Sequence, residues 1–159
     1  MISGHWENLV HKIGSSLQPG ETVALAESCT GGLMGTVITS QPGVSSWFRG
    51  SIVAYHNDLK ISLLDVSEDV LAQDGAVSRA CALEMARGAR SKAGSCLGVG
   101  LTGIAGPGGA TPDKPVGLVY LALVDSEREL CQKLHLQGNR DAIRAAAVTH
   151  ALEAILETR

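Results

Sequence analysis

Aromatic residues are scarce: two tryptophans, two tyrosines and one phenylalanine, 3% of a 159-residue chain. That leaves no platform on which unpaired bases could stack. Basic tracts are missing as well. Thirteen lysines and arginines face sixteen acids, a formal charge of −3, so binding driven by phosphate neutralisation has little support. The longest apolar runs, such as 117–124, fall far short of the roughly 20 residues a membrane span requires. No signal peptide is expected, because Glu7, His11 and Lys12 interrupt the place of an apolar core. Cys29, Cys81, Cys96 and Cys131 show no C-x-x-C spacing, and the five histidines form no H-E-x-x-H set. The expectation is a cytoplasmic protein with reduced thiols, no metal, and neither nucleic acid nor membrane as a partner.

What is present is a chain with 45% apolar and 18% charged residues, suited to one domain around one core. Glycine is abundant, 19 of 159 residues or about 12%, against a usual ~7%. The glycines cluster at 31–32, 98–103 and 106–109, a pattern that suits shaped loops better than linkers.

Leu9, Ile13 and Leu17 share one face at four-residue spacing and predict a helix over 3–17, ended by Pro19 and Gly20. Strands are expected at 22–26, 50–55, 96–101, 117–124 and 130–136. Helices are expected at 31–38, 57–64, 68–73, 78–93 and 141–157, with Ser78 and Asn139 as N-caps. Strands and helices interleave first, then strands follow one another closely before a last helix. That order implies an α/β fold: a single-domain α/β/α sandwich around a mixed sheet of about five to six strands, not a uniformly parallel one. The alanine-rich helices suit close helix packing, and a homodimer is one expectation drawn from them.

Three segments can carry chemistry. In AESCTGG at 26–32 a strand passes into a helix, a turn that holds a side chain at the carboxyl edge of the sheet. Ser28 there has a nucleophile's position, with the amides around Thr30, Gly31 and Gly32 as oxyanion donors. A plain serine N-cap is the alternative, and Cys29 is an alternative nucleophile. The segment is neither a G-x-S-x-G elbow nor S-x-x-K. The second segment, YHNDLK at 55–60, offers Lys60 as the base for Ser28 and Tyr55 as a proton relay or orienting group. An unshifted lysine near 10.4 is neutral in only about one part in 2,500 at pH 7, a deficit of roughly 4.6 kcal/mol. Lys60 therefore needs burial or a neighbouring cation to act, and a solvated helix lysine is the alternative. The third segment, 98–109, matches G-x-G-x-x-G by letter, but Pro107 and further glycines stand where a Rossmann helix should begin. It reads as a strand and a ligand-admitting loop, with Thr102 supplying a hydroxyl.

Together, AESCTGG at 26–32, SIVAYHNDLK at 51–60, GAVS at 75–78 and TGIAGPGGATPDKPVG at 102–117 resemble the C-terminal domain of the competence/damage-inducible protein CinA. The resemblance runs from about Thr22 to Leu156. Larger relatives add an N-terminal domain similar to molybdopterin-binding proteins, and this sequence resembles the stand-alone form. Family members act as nicotinamide mononucleotide deamidases, releasing ammonia and nicotinate mononucleotide. The resemblance implies Ser28 as nucleophile and Lys60 as its base, with Tyr55 in the same site. It places Thr30, Gly31, Gly32, Ser45, Thr102 and Gly103 against the substrate, and Arg140 and Arg144 as candidates for its phosphate. It implies a small nucleotide substrate and no cofactor. His56 stands where many relatives carry serine or threonine, and Asn139 stands where the family pattern has aspartate.

Overall fold

The computed structural model describes residues 2–159. Chain order is α1 (Gly4–Ser16), β1 (Val23–Glu27), α2 (Leu33–Thr39), β2 (Phe48–Val53), α3 (Asn57–Leu64), α4 (Glu68–Gln73), α5 (Arg79–Ala93), β3 (Leu97–Gly103), β4 (Leu118–Val124), β5 (Glu129–His135) and α6 (Arg140–Glu157). A short 3-10 turn at Val44–Ser46 precedes β2. The sheet has five strands in the order β2-β1-β3-β4-β5. The first three are parallel, and β4 and β5 reverse direction in turn. This is the mixed sheet that the interleaved pattern requires.

Alternation along β1 divides the core. Val23 and Leu25 pack with Ile13, Met34, Ile143 and Leu152, from the α1, α2 and α6 side. Ala24 and Ala26 face the other way, onto Leu64, Cys81 and Met85 from α3 and α5. The second face is built from small residues. On β3, a Cβ at Gly98 would strike the Ala86 carbonyl oxygen, and one at Gly100 the Ala82 carbonyl oxygen. These two glycines of the G-x-G pattern therefore let α5 lie tight on the sheet and do not admit a ligand. Gly88 does the same for the crossing of α5 with α3, where it meets the Leu64 carbonyl.

Capping follows the sequence. Ser78 Oγ accepts from the Cys81 amide at 3.1 Å, and Asn139 Oδ1 accepts from the Ala142 amide at 2.9 Å. Several boundaries shift by one or two residues, two of them for a clear physical reason. Helix α2 starts at Leu33 rather than 31, because Gly31 (φ 59°) and Gly32 (φ 90°) are left-handed. Strand β2 ends at Val53, since the Ala54 and Tyr55 carbonyls turn toward Lys60 instead of a neighbouring strand. Among the described residues no helix is long and apolar enough to cross a membrane.

Candidate active site

Register sets the site. Glu27 pairs with Val53 and with Leu101, so β1 and β2 finish level while β3 runs two residues further. Ser28, Tyr55 and Thr102 lie at that edge, and the Ser28 amide still donates to the Leu101 carbonyl at 2.9 Å. Because β4 pairs Leu118 with His135, β5 ends at the same edge and delivers the start of α6 there. A cavity of about 200 Å³ results, lined by Ser28, Cys29, Tyr55, Asn57, Lys60, Ala76, Val77, Thr102, Gly103, Ala105 and Arg140. That volume admits a fragment about the size of one ring.

Lys60 is only 1% exposed. Its Nζ donates to the carbonyls of Ala54 (3.1 Å) and Tyr55 (3.0 Å). Burial pushes its pKa below the ordinary lysine value, and no carboxylate pairs with it among the described residues. Ser28 is 8% exposed and lines the same cavity, with no direct hydrogen bond joining the two side chains. Cys29 lines the same cavity, and burial pushes its thiol up to about 11, which disfavours a free thiolate at neutral pH.

Tyr55 is 57% exposed, and its hydroxyl accepts from Arg140 Nη2 at 3.0 Å. Arg140 Nη1 donates to the Gly106 carbonyl at 2.8 Å, so the guanidinium sits at the cavity wall with neutral partners. Thr102 Oγ1 donates to the Ala76 carbonyl at 2.7 Å and ties the residue 76 loop to β3. Gly103 lines the cavity, and a Cβ on it would also press on the Leu118 carbonyl at 2.7 Å.

Other sequence candidates stand outside the cavity. Arg144 Nη2 donates to the Thr30 carbonyl at 2.8 Å, so it holds the serine loop from behind. Thr30 is fully buried beneath that loop. The Gly31 amide donates to the Ser28 carbonyl, and the Gly32 amide to Glu27. Among the described residues this leaves the Cys29 and Thr30 amides without an acceptor; of the two residues Cys29 lines the cavity, so its amide is the oxyanion donor the loop can offer. Ser45 precedes β2, so the length of that strand, roughly 20 Å for six residues, separates it from the cavity.

Sequence reading missed Glu27. It follows Val23 and Leu25 onto the α2 face of the sheet and is 0% exposed. Its Oε2 accepts from Thr30 Oγ1 (2.7 Å) and from the amides of Gly32 (3.1 Å) and Met34 (3.1 Å). Its Oε1 accepts from the Gly35 amide (2.9 Å) and Ser51 Oγ (2.8 Å). The carboxylate occupies the positive end of α2, so that helix start is closed to a substrate anion.

A larger cavity of about 550 Å³ lies beyond Val77, lined by Arg79, Glu84, Arg87, Lys114 and Tyr120 among others. Its cations are engaged: Arg87 Nε with Glu129 at 2.7 Å, Arg79 with the Cys131 carbonyl, Lys114 with the Asp74 carbonyl. It holds no buried nucleophile and base, so the smaller cavity is the candidate. Among the described residues no three His, Cys, Asp or Glu side chains cluster as a metal site requires.

Fold and site together define an α/β sandwich carrying a serine and a desolvated lysine at the carboxyl edge of its sheet. The chain belongs to the CinA C-terminal domain family, whose model matches residues 7–159. A CinA-like protein from Syntrophotalea carbinolica is 51% identical over 134 residues, 84% of this chain and 32% of that protein. The chain thus spans about a third of the length of the curated relatives it matches. Among solved structures, the competence/damage inducible protein CihA from Agrobacterium tumefaciens is 40% identical, with a TM-score of 0.94 over 99% of this chain and 97% of that one. The competence damage-inducible protein A from Klebsiella pneumoniae is 29% identical, with a TM-score of 0.92 over 98% and 96%.

Proposed function

We propose that this protein is an amidohydrolase that converts nicotinamide mononucleotide to nicotinate mononucleotide and ammonia by serine–lysine catalysis. One observation carries the reading: a buried lysine in the cavity of Ser28, with its Nζ held by two backbone carbonyls. A neutral amine has two hydrogens and one lone pair. With both hydrogens given to Ala54 and Tyr55, the lone pair is left for a further partner, and the Ser28 hydroxyl lines the same cavity.

The steps follow. Lys60 Nζ takes the hydroxyl proton as Ser28 Oγ bonds to the carboxamide carbon, and the oxyanion formed is met by the Cys29 amide. The ammonium of Lys60 returns that proton to the nitrogen as the C–N bond breaks, which releases ammonia and leaves an ester on Ser28. Water, deprotonated by the same amine, then cleaves the ester to free carboxylate and serine. The pyridine ring fits the cavity while the ribose phosphate lies outside it. Arg140, with neutral partners at the wall, is the cation placed to meet the phosphate.

Ammonia release measured on nicotinamide mononucleotide beside free nicotinamide tests reaction and phosphate dependence together. Release from the mononucleotide is expected, with a steep loss for the free amide. Ser28→Ala should stay folded and lose turnover by three or more orders of magnitude, in line with removal of a covalent nucleophile. A folded Ser28→Ala variant that still turns over, or tight binding without ammonia, overturns the reading.

A further inference from the structure

Glu27 takes no part in the proton transfers above, yet it is completely buried and none of its five partners is a cation. A charge so placed is tolerated only when its lone pairs are fully satisfied by donors. The donors come from three elements: Thr30 and Gly32 in the serine loop, Met34 and Gly35 in α2, and Ser51 on β2. Each donor lies within eight residues of Glu27 except Ser51, which anchors the arrangement to the neighbouring strand.

We propose that Glu27 is a positioning residue for Ser28. Resting on the functional reading above, it sets the loop so that the Ser28 hydroxyl and the Cys29 amide form one preorganised reaction centre. By drawing in the amides of Gly32, Met34 and Gly35, the carboxylate forces the left-handed turn at Gly31–Gly32. That turn sends the Gly31 amide back to the Ser28 carbonyl and leaves the Cys29 and Thr30 amides free. Only an acceptor on both atoms can do this. A glutamine would turn an NH₂ group toward the Gly35 amide or toward the Gly32 and Met34 amides, opposing donor to donor. Thr30 is the internal gauge, since its hydroxyl bonds Glu27 at 2.7 Å while it follows Ser28 and Cys29 directly in the same loop.

The test uses the intact protein and the variants Glu27→Gln, Thr30→Val and Thr30→Ser. Ser67→Ala serves as a control that removes the N-cap of α4 far from the loop. Glu27→Gln and Thr30→Val should lower kcat by about 10- to 100-fold, the scale expected when reacting groups are misplaced by an ångström or less. KM should stay within about twofold, because ring and phosphate contacts are untouched. Thr30→Ser should restore most of kcat, and Ser67→Ala should lower Tm while keeping kcat. Wild-type kcat in Thr30→Val, or a loss that Thr30→Ser does not reverse, overturns the proposal. The Thr30 pair decides the matter if Glu27→Gln fails to fold. Should the wild type release no ammonia, the functional reading falls by itself. Positioning is then read from the rate of Ser28 labelling by a fluorophosphonate. Slowing in Thr30→Val with recovery in Thr30→Ser supports the proposal, and equal rates overturn it.

Discussion

At the scale of single residues, Lys60 ties catalysis to stability with a definite sign. Burial lowers its pKa in the folded protein. The folded chain therefore releases its proton at a pH where the unfolded chain still holds one. Between the lowered value and the ordinary one near 10.4, unfolding takes up a proton, so stability rises with pH across that window. Turnover should climb over the pH range in which Lys60 loses its proton and level off above it. Lys60→Met should abolish turnover and flatten the alkaline rise in stability, as urea titrations at several pH values will show. A rise of equal slope in the variant would assign it to another group. That Ser28 and Lys60 lie near one sheet edge was legible in the sequence, because Ser28 directly follows β1 and Lys60 sits in the first turn of the helix after β2. Glu27 was not, since an acid closing a strand looks solvent-bound until the amides of a later turn fold over it. The bond from Arg144 to the Thr30 carbonyl was hidden for the same reason, since nothing local reveals it.

At the scale of elements, the contact of α5 with β3 decides the thickness of one layer. A methyl group at Gly100 would meet the Ala82 carbonyl and the Ala86 amide, both backbone atoms that cannot step aside. Gly100→Ala should cost about 1–3 kcal/mol through overpacking. Gly108→Ala should be close to neutral, because its Cβ would meet nothing within 4 Å. Paired denaturation curves check this, and equal midpoints would refute the steric account. Element identity was readable throughout, since caps such as Ser78 and Asn139 and the spacing of apolar residues are local signals. The use of the 98–103 glycines was not. Letters that match a phosphate-binding pattern serve here to admit a helix, a distinction that depends on which element crosses the strand.

At the scale of the whole molecule, the cavity draws on residues from Ser28 to Arg140, contributed by β3, by α3 and α6, and by the loops that follow β1, β2, α4 and β3. Activity should therefore vanish together with the tryptophan and far-ultraviolet signals in urea, as one transition. At the opposite end of the sheet, Arg159 closes the fold. Its Nε lies 2.9 Å from Glu21 Oε1 as an ion pair, and its Nη2 lies 3.2 Å from Asp125 Oδ2. Burial would raise the Asp125 carboxyl. The Glu127 and Arg128 amides and Arg159 outweigh that and hold it below the ordinary range. The stabilisation is present above the usual carboxylate pKa and is lost as pH falls through the lowered value. Arg159→Ala should cost about 1–3 kcal/mol at neutral pH and make the acid-side decline shallower, measurable as Tm from pH 7 to pH 2. An unchanged acid limb would remove Arg159 from that account.

Loops that carry a nucleophile commonly exchange their amide hydrogens with solvent within seconds, because they open independently of the scaffold. With the hydrogens of Gly32, Met34 and Gly35 locked on a carboxylate beneath the surface, this loop cannot open without exposing that charge to an interior it has just vacated. Its deuterium uptake should accordingly be as slow as that of the central strands. Any ligand must then be accommodated by the rim around it, with the nucleophile itself standing still.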